Sequence, residues 1–135
     1  MIRVSAEQRR IVGEPAFVDR VVFHFIRYRH QEIDHITDRV LRHRIEHGLG
    51  VGRTYGLTWE YSLTVFVAHM MGINPEWHLQ PALHRALLDE ALAPDRRMDA
   101  LFGQVTDDDW EEAAVRCDAA AYWQRIDATA PTGEE

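Results

Sequence analysis

Apolar residues recur three and four apart along most of this chain, and that rhythm predicts helices. From Phe17 onward, Val18, Val21, Val22, Phe25 and Ile26 keep the spacing of one amphipathic helix reaching about His30. A shorter helix is expected before it, with Ser5 and Gln8 as a capping box, Gly13 as its end and Pro15 in the first turn of the next. Asp34 or Asp38 is placed to cap a third helix carrying Val40, Leu41, Ile45, Leu49 and Val51. Gly48, Gly50 and Gly52 alternate through its second half, so either the helix breaks at Gly48 or small residues let another helix approach closely. Gly56 suits a left-handed end to that segment.

Thr58 is the expected cap of a fourth helix, apolar on nearly every side through Leu63, Val65, Phe66, Val67, Met70 and Met71. A helix apolar all round is central and buried. Gly72 stops it, and a loop follows through Asn74, Pro75 and Trp77. Pro81 opens a fifth helix and Pro94 a short one with Met98, Leu101 and Phe102. Thr106 caps a last helix with Asp107, Asp108 and Asp109 in its first turn. Trp110, Ala113, Ala114, Cys117, Ala121 and Tyr122 form one continuous seam along it. No pair of segments carries hairpin chemistry. The expectation is an all-α protein: a single compact domain over residues 1–127, with five to seven helices around the Thr58–Met71 helix, and a disordered tail at 128–135.

Charge changes the picture at one end only. Residues 1–94 hold eleven acids and eleven arginines, whereas residues 95–135 hold eleven acids and four arginines, so the net charge of −7 sits in the last third. An acidic end disfavours phosphate backbones and anionic membranes and suits a basic protein partner. The single cysteine, Cys117, excludes an internal disulfide framework. MIRVSAEQRR lacks the basic-then-apolar order of a signal peptide, and no apolar run approaches the roughly 18 residues of a membrane span, so a cytoplasmic location is expected.

The sharpest local motif is His43-Arg44-Ile45-Glu46-His47, the H-x-x-E-H of inverted zincins. Histidines four apart share a helix face and can grip one zinc ion, with the glutamate as base. A catalytic site needs a third ligand, and no partner helix offers an obvious one, so the expectation is no metal and no cofactor, with His43, Glu46 and His47 as the alternative. His24, His30, Asp34, His35 and His43 form a looser group; His24 and His30, six apart, do not closely share one face, and the paired Glu-x-x-His signature of di-iron bundles is absent. Cys117, with Glu111, Glu112 and Asp118 near in sequence, reads as a small core residue rather than a nucleophile. Arg39, Arg42, Arg44 and Arg53 lack aromatic interleaving, which argues against nucleic acid.

Large rings are plentiful for a small domain, and Tyr, Trp and Arg dominate protein–protein hot spots. Trp59, at a helix start, and Trp77, in a loop, are the rings expected at the surface. Tyr55, Trp59, Glu60 and Trp77, with Asp107, Asp108 and Asp109, are the expected partner-binding residues.

The stretch I45-E-H-G-L-G-V-G-R-T-Y-G-L-T-W-E, then V65-F-V-A-H-M-M-G-I, then P81-A-L, carries a resemblance. With Ile2, Arg3 and Gln8 at the start, Tyr55, Gly56, Leu57 and Glu60 in the middle, and Met70, Gly72 and Pro75 after, the chain resembles a group of small bacterial helical accessory proteins. These are encoded beside type VI secretion effector, spike and PAAR genes. The resemblance spans roughly residues 2–100; the family's aromatic after Gly72 is missing and the acidic last helix lies outside it. It implies a non-enzymatic adaptor or chaperone for a secreted effector or toxin. The alternatives are a cognate immunity protein that blocks a toxin, and a small metal-dependent hydrolase using the H-x-x-E-H segment.

Overall fold

A computed structural model of the chain describes residues 6–131, with side chains described from residue 14 onward. Ile2, Arg3, Ser5 and residues 132–135 lie outside the described residues, so the expectations placed on them do too. The protein is all-α: among the described residues there are eight α-helices, one 3-10 turn and no strand. The helices are α1 (Ala6–Tyr28), α2 (His30–Ile33), α3 (Asp38–Thr54), α4 (Glu60–Gly72), α5 (Pro81–Leu87), α6 (Pro94–Gln104), α7 (Asp107–Ala114) and α8 (Ala119–Asp127). Trp77–Leu79 forms the 3-10 turn.

Three differences from the expected elements have physical causes. First, α1 runs through Gly13 and Pro15 without the expected break. Pro15 contributes no N–H to the helix ladder, and arginines of α3 hold this turn from outside. Arg42 donates to the Pro15 carbonyl (3.3 Å) and the Asp19 carboxylate (2.6 Å), and Arg53 grips Glu14 with two bonds (3.1 and 2.7 Å). Second, Tyr28 ends α1, and His30–Ile33 makes a separate single turn. Third, the expected single last helix is two, parted at residues 115–118. Asp118 there accepts a bond from Ala121 N–H and caps α8, while the Asn74 amide donates to the carbonyls of Ala114 and Cys117 (3.3 and 2.9 Å). The break is thus hydrogen-bonded as a cap on one side and through a distant loop on the other.

The pairing of α3 with α4 settles the glycine question in favour of close approach. Thr37, rather than Asp34 or Asp38, caps α3, its hydroxyl accepting from Val40 N–H. The helix then continues through all three glycines. A methyl added at Gly48 would sit 3.0 Å from a Val67 methyl, and one at Gly52 3.1 Å from Leu63, whereas one at Gly50 would meet nothing within 4 Å. Two substitutions therefore have opposite signs. Gly50→Ala is expected to stabilise by about 0.5–1 kcal/mol through helix propensity. Gly48→Leu is expected to destabilise by about 1–3 kcal/mol by overpacking. Urea denaturation midpoints check both, and a destabilised Gly50→Ala would sink this account of the interface.

The entry to α4 is capped from another helix. Trp59 occupies the cap position without a side-chain bond, and Thr58 is not itself the cap. The buried Asp95 carboxylate of α6 accepts from the backbone N–H groups of Thr58 and Trp59 and from the Thr58 hydroxyl (2.9–3.3 Å). Burial pushes this carboxyl up, but the bonds from Trp59 and Thr58 outweigh it and hold it below the usual carboxylate range. The Ser62 hydroxyl, one turn on, faces the same carboxylate without a well-formed hydrogen bond. This links α6 to α4 and so places the C-terminal half against α3 and α4. A single cluster of buried apolar side chains runs from Phe17 to Trp123.

Candidate functional site

Rings form a column from the interior to solvent. Trp77 is 0% exposed and touches Phe66 (centroids 5.0 Å), His69 (5.0 Å, edge-on) and Trp110 (5.9 Å, stacked at 21°). Phe102 stacks in turn on Trp110 (5.3 Å, 26°) and is 71% exposed. The loop that delivers Trp77 is fixed by Asn74. Its side-chain oxygen accepts from Glu76 N–H (2.9 Å) and from the Cys117 thiol (3.2 Å), while its amide holds the α7–α8 connection. At the outer end of the column lies a groove of about 440 Å³ lined by Gly72, Ile73, Phe102, Trp110, Glu111 and Ala114.

Trp77 is not a surface residue, which corrects its expected exposure, and Tyr55, named among the partner-binding residues, is buried as well. Trp77 lies in a loop, but its 3-10 turn is pinned by Asn74 and turns the indole inward. Its N–H finds no acceptor among the described residues. Tyr55 follows α3 at a corner where Gly56 takes φ +86° against Pro94, and the corner folds the ring inside (9% exposed). The Tyr55 hydroxyl lies 2.8 Å from His78 Nδ1 and 3.1 Å from His84 Nδ1, and His84 Nδ1 is 3.2 Å from the His78 carbonyl. A carbonyl only accepts, so His84 Nδ1 carries the proton and donates; the tyrosine then donates to an unprotonated His78 Nδ1. Burial pushes the Tyr55 hydroxyl up to about 12. Burial likewise drives His78 down to about 4, against an opposing bond to the Pro75 backbone, and drives His69 down to about 4, assisted by Arg29. Tyr55, His78 and the half-buried His84 thus form a hydrogen-bonded group beside the ring column.

Of the other expected partner-binding residues, Trp59 is 46% exposed with the Arg96 guanidinium 5.1 Å over its ring, and the exposed Glu60 pairs with Arg20 (2.6 Å). Asp109 is engaged at home: it completes a capping box with Thr106 and accepts from Gln80. Hydrogen bonding from Thr106 holds its carboxyl below the ordinary value. Asp107 and Asp108 are exposed and make no ion pair among the described residues. Asp107 falls on the same helical stripe as Trp110, Glu111 and Ala114, one turn before these groove residues. Sequence reading missed Phe102 as a surface ring. Helix rhythm could not have shown it: Phe102 follows the buried Met98 by four residues and the buried Asp95 by seven, on the inward stripe, yet in the last turn of α6 it stands 71% exposed.

His43 and His47 face different hydroxyls: His43 Nε2 lies 2.8 Å from Thr129 Oγ1 and His47 Nε2 2.7 Å from Tyr122 OH. Burial, then His43, lowers the His47 pKa. Glu46 is exposed, 4.0 Å from Arg42. Among the described residues, no three His, Cys, Asp or Glu side chains converge as metal ligands would. Arg44 is paired with Asp127 by two bonds, and Arg39 donates to the Pro131 carbonyl, so residues 129 and 131 are hydrogen-bonded to α3. Cys117 is half-buried; burial and then the Glu76 carboxylate push its thiol above the ordinary value.

In comparisons with family models, curated proteins and solved structures, nothing matches this chain. No helix among the described residues is long and apolar enough to cross a membrane.

Proposed function

We propose that this chain is a non-enzymatic protein-binding accessory factor, an adaptor or chaperone for a secreted effector or toxin of a type VI-like system, acting in the cytoplasm. The observation that carries the binding role is Phe102: a phenylalanine held largely in solvent, stacked on Trp110 at the mouth of an apolar groove. An ordered exposed ring of this kind is the anchor that protein interfaces use. The resemblance over residues 2–100 supplies the kind of locus. The reading takes α4 as the helix around which the single domain is organised, and its buried Leu63, Phe66, Val67 and Met70 support that.

Asp107, Asp108 and Glu111, which make no ion pair among the described residues, favour a second reading, an immunity protein covering the basic active site of a toxin. Co-expression with the effector or toxin encoded beside this gene separates the two. A chaperone raises the partner's soluble yield and co-purifies with it; an immunity protein rescues growth from an active toxin. Failure of that partner to co-purify would overturn the proposal. So would stoichiometric zinc in the purified protein that is lost in His47→Ala.

A further inference from the structure

We infer that the Phe102–Trp110 groove receives an amphipathic helix of the partner whose apolar stripe is flanked by arginine or lysine; this rests on the protein-binding reading above and specifies its site and partner chemistry. Three observations point there. The groove is apolar where its floor and rings lie, with Ile73, Phe102, Trp110 and Ala114 among its lining. Its rings are already ordered: Trp110 stacks on the fully buried Trp77, so binding loses little side-chain freedom at the anchor. Its rim is negative and unanswered, because Asp107 and Glu111 share the stripe of Trp110 and Ala114 and make no ion pair among the described residues.

The shape argues for a helix as occupant. α7 has eight residues, about 12 Å of helix, which matches two turns of a partner presenting residues four apart. A peptide that binds by adding a strand would need an unpaired sheet edge, and the groove is lined from helices and the turn after α4. The acidic rim repels phosphate chains. A second copy of this chain would have to supply the basic flank from arginines other than Arg42, Arg44 and Arg53, which are paired with Asp19, Asp127 and Glu14.

The probe is a model helical peptide of about 15 residues with leucines on one face flanked by arginines, and a twin with glutamates in place of the arginines, each titrated into the full chain by fluorescence anisotropy. The basic peptide is expected to bind more tightly than the acidic one, with the difference shrinking in high salt. Phe102→Ser is expected to weaken the basic peptide by roughly tenfold or more, a hot-spot loss. Glu111→Arg is expected to reverse the preference between the twins. Equal binding of the two peptides, or unchanged binding by Phe102→Ser with its helicity intact, overturns the inference. Concentration-dependent self-association abolished by Phe102→Ser also overturns it, in favour of a second copy. If the neighbouring effector co-purifies as well with Phe102→Ser as with wild type, the groove assignment falls while the accessory-factor reading stands. If no effector co-purifies but the charge-selective peptide binding holds, the reverse is true.

Discussion

Replacing Trp77 with alanine is expected to lower unfolding stability by about 3–5 kcal/mol, the loss typical of a large buried ring. Its position explains the size. The indole is fully buried and bridges Phe66 and His69 of α4 to Trp110 of α7, so its removal opens a cavity between elements distant in sequence. Little of the loss is hydrogen bonding, because the indole N–H has no acceptor among the described residues. Trp77→Phe is therefore expected to cost clearly less than Trp77→Ala, since it keeps a ring and removes an unsatisfied donor. Trp59→Ala, at a half-exposed ring, is expected to stay within about 0.5 kcal/mol of wild type apart from its contact with Arg96. Urea unfolding of the three variants checks this ordering. A Trp77→Ala loss below about 1 kcal/mol would mean that the ring column is not where the interior is built.

That ordering separates two tryptophans that local sequence places alike at the surface. Helix rhythm, Pro81 and Pro94 at first turns, the Thr106 capping box and the Gly56 corner are all carried by residues within a turn of one another, so they are legible. What could not be read depends on groups far apart in the chain. Trp77 is buried because Asn74 bonds to residues about 40 positions away. The turn at Pro15 inside α1 is held from α3, Arg42 donating to the Pro15 carbonyl and Arg53 to Glu14. The cap of α4 is Asp95, from a helix two elements further on. The acidic run at 107–109 showed a helix start but not its division of labour: Asp109 serves the cap, and Asp107 faces the groove side. The candidate site was half-legible for the same reason. Its acids were apparent in the charge pattern, whereas helix rhythm alone puts Phe102 inward, four residues after the buried Met98, and its exposure is a property of the packed helices.

The same interior makes the protein acid-sensitive. Lowering the pH from 7 to about 4 is expected to remove several kcal/mol of stability, beginning well above the range where carboxylates titrate. Burial holds both His69 and His78 down at about 4, against an ordinary value of 6.5. The unfolded chain therefore binds more protons than the folded one between those values, and stability falls as pH falls through this window. Each unit of such a difference corresponds to about 1.4 kcal/mol, which puts the two rings together at a few kcal/mol, a large share of a small domain's total. Above pH 6.5 both rings are neutral in either state and the effect vanishes. For His78 the cause is burial against Phe66 and Trp77, opposed by the bond to the Pro75 backbone and assisted by His84 and His47. His69, edge-on to Trp77 and Trp110, feels the same burial and the added repulsion of Arg29. Asp95 extends the loss to lower pH, because its carboxyl is held below the ordinary range and caps α4 only when ionised. His69→Phe should flatten the slope between pH 6.5 and 4.5 while leaving the Asp95 contribution below it. Urea midpoints measured across that range decide the matter: a midpoint that does not move between pH 7 and 5 would show that neither imidazole is kept neutral by the fold.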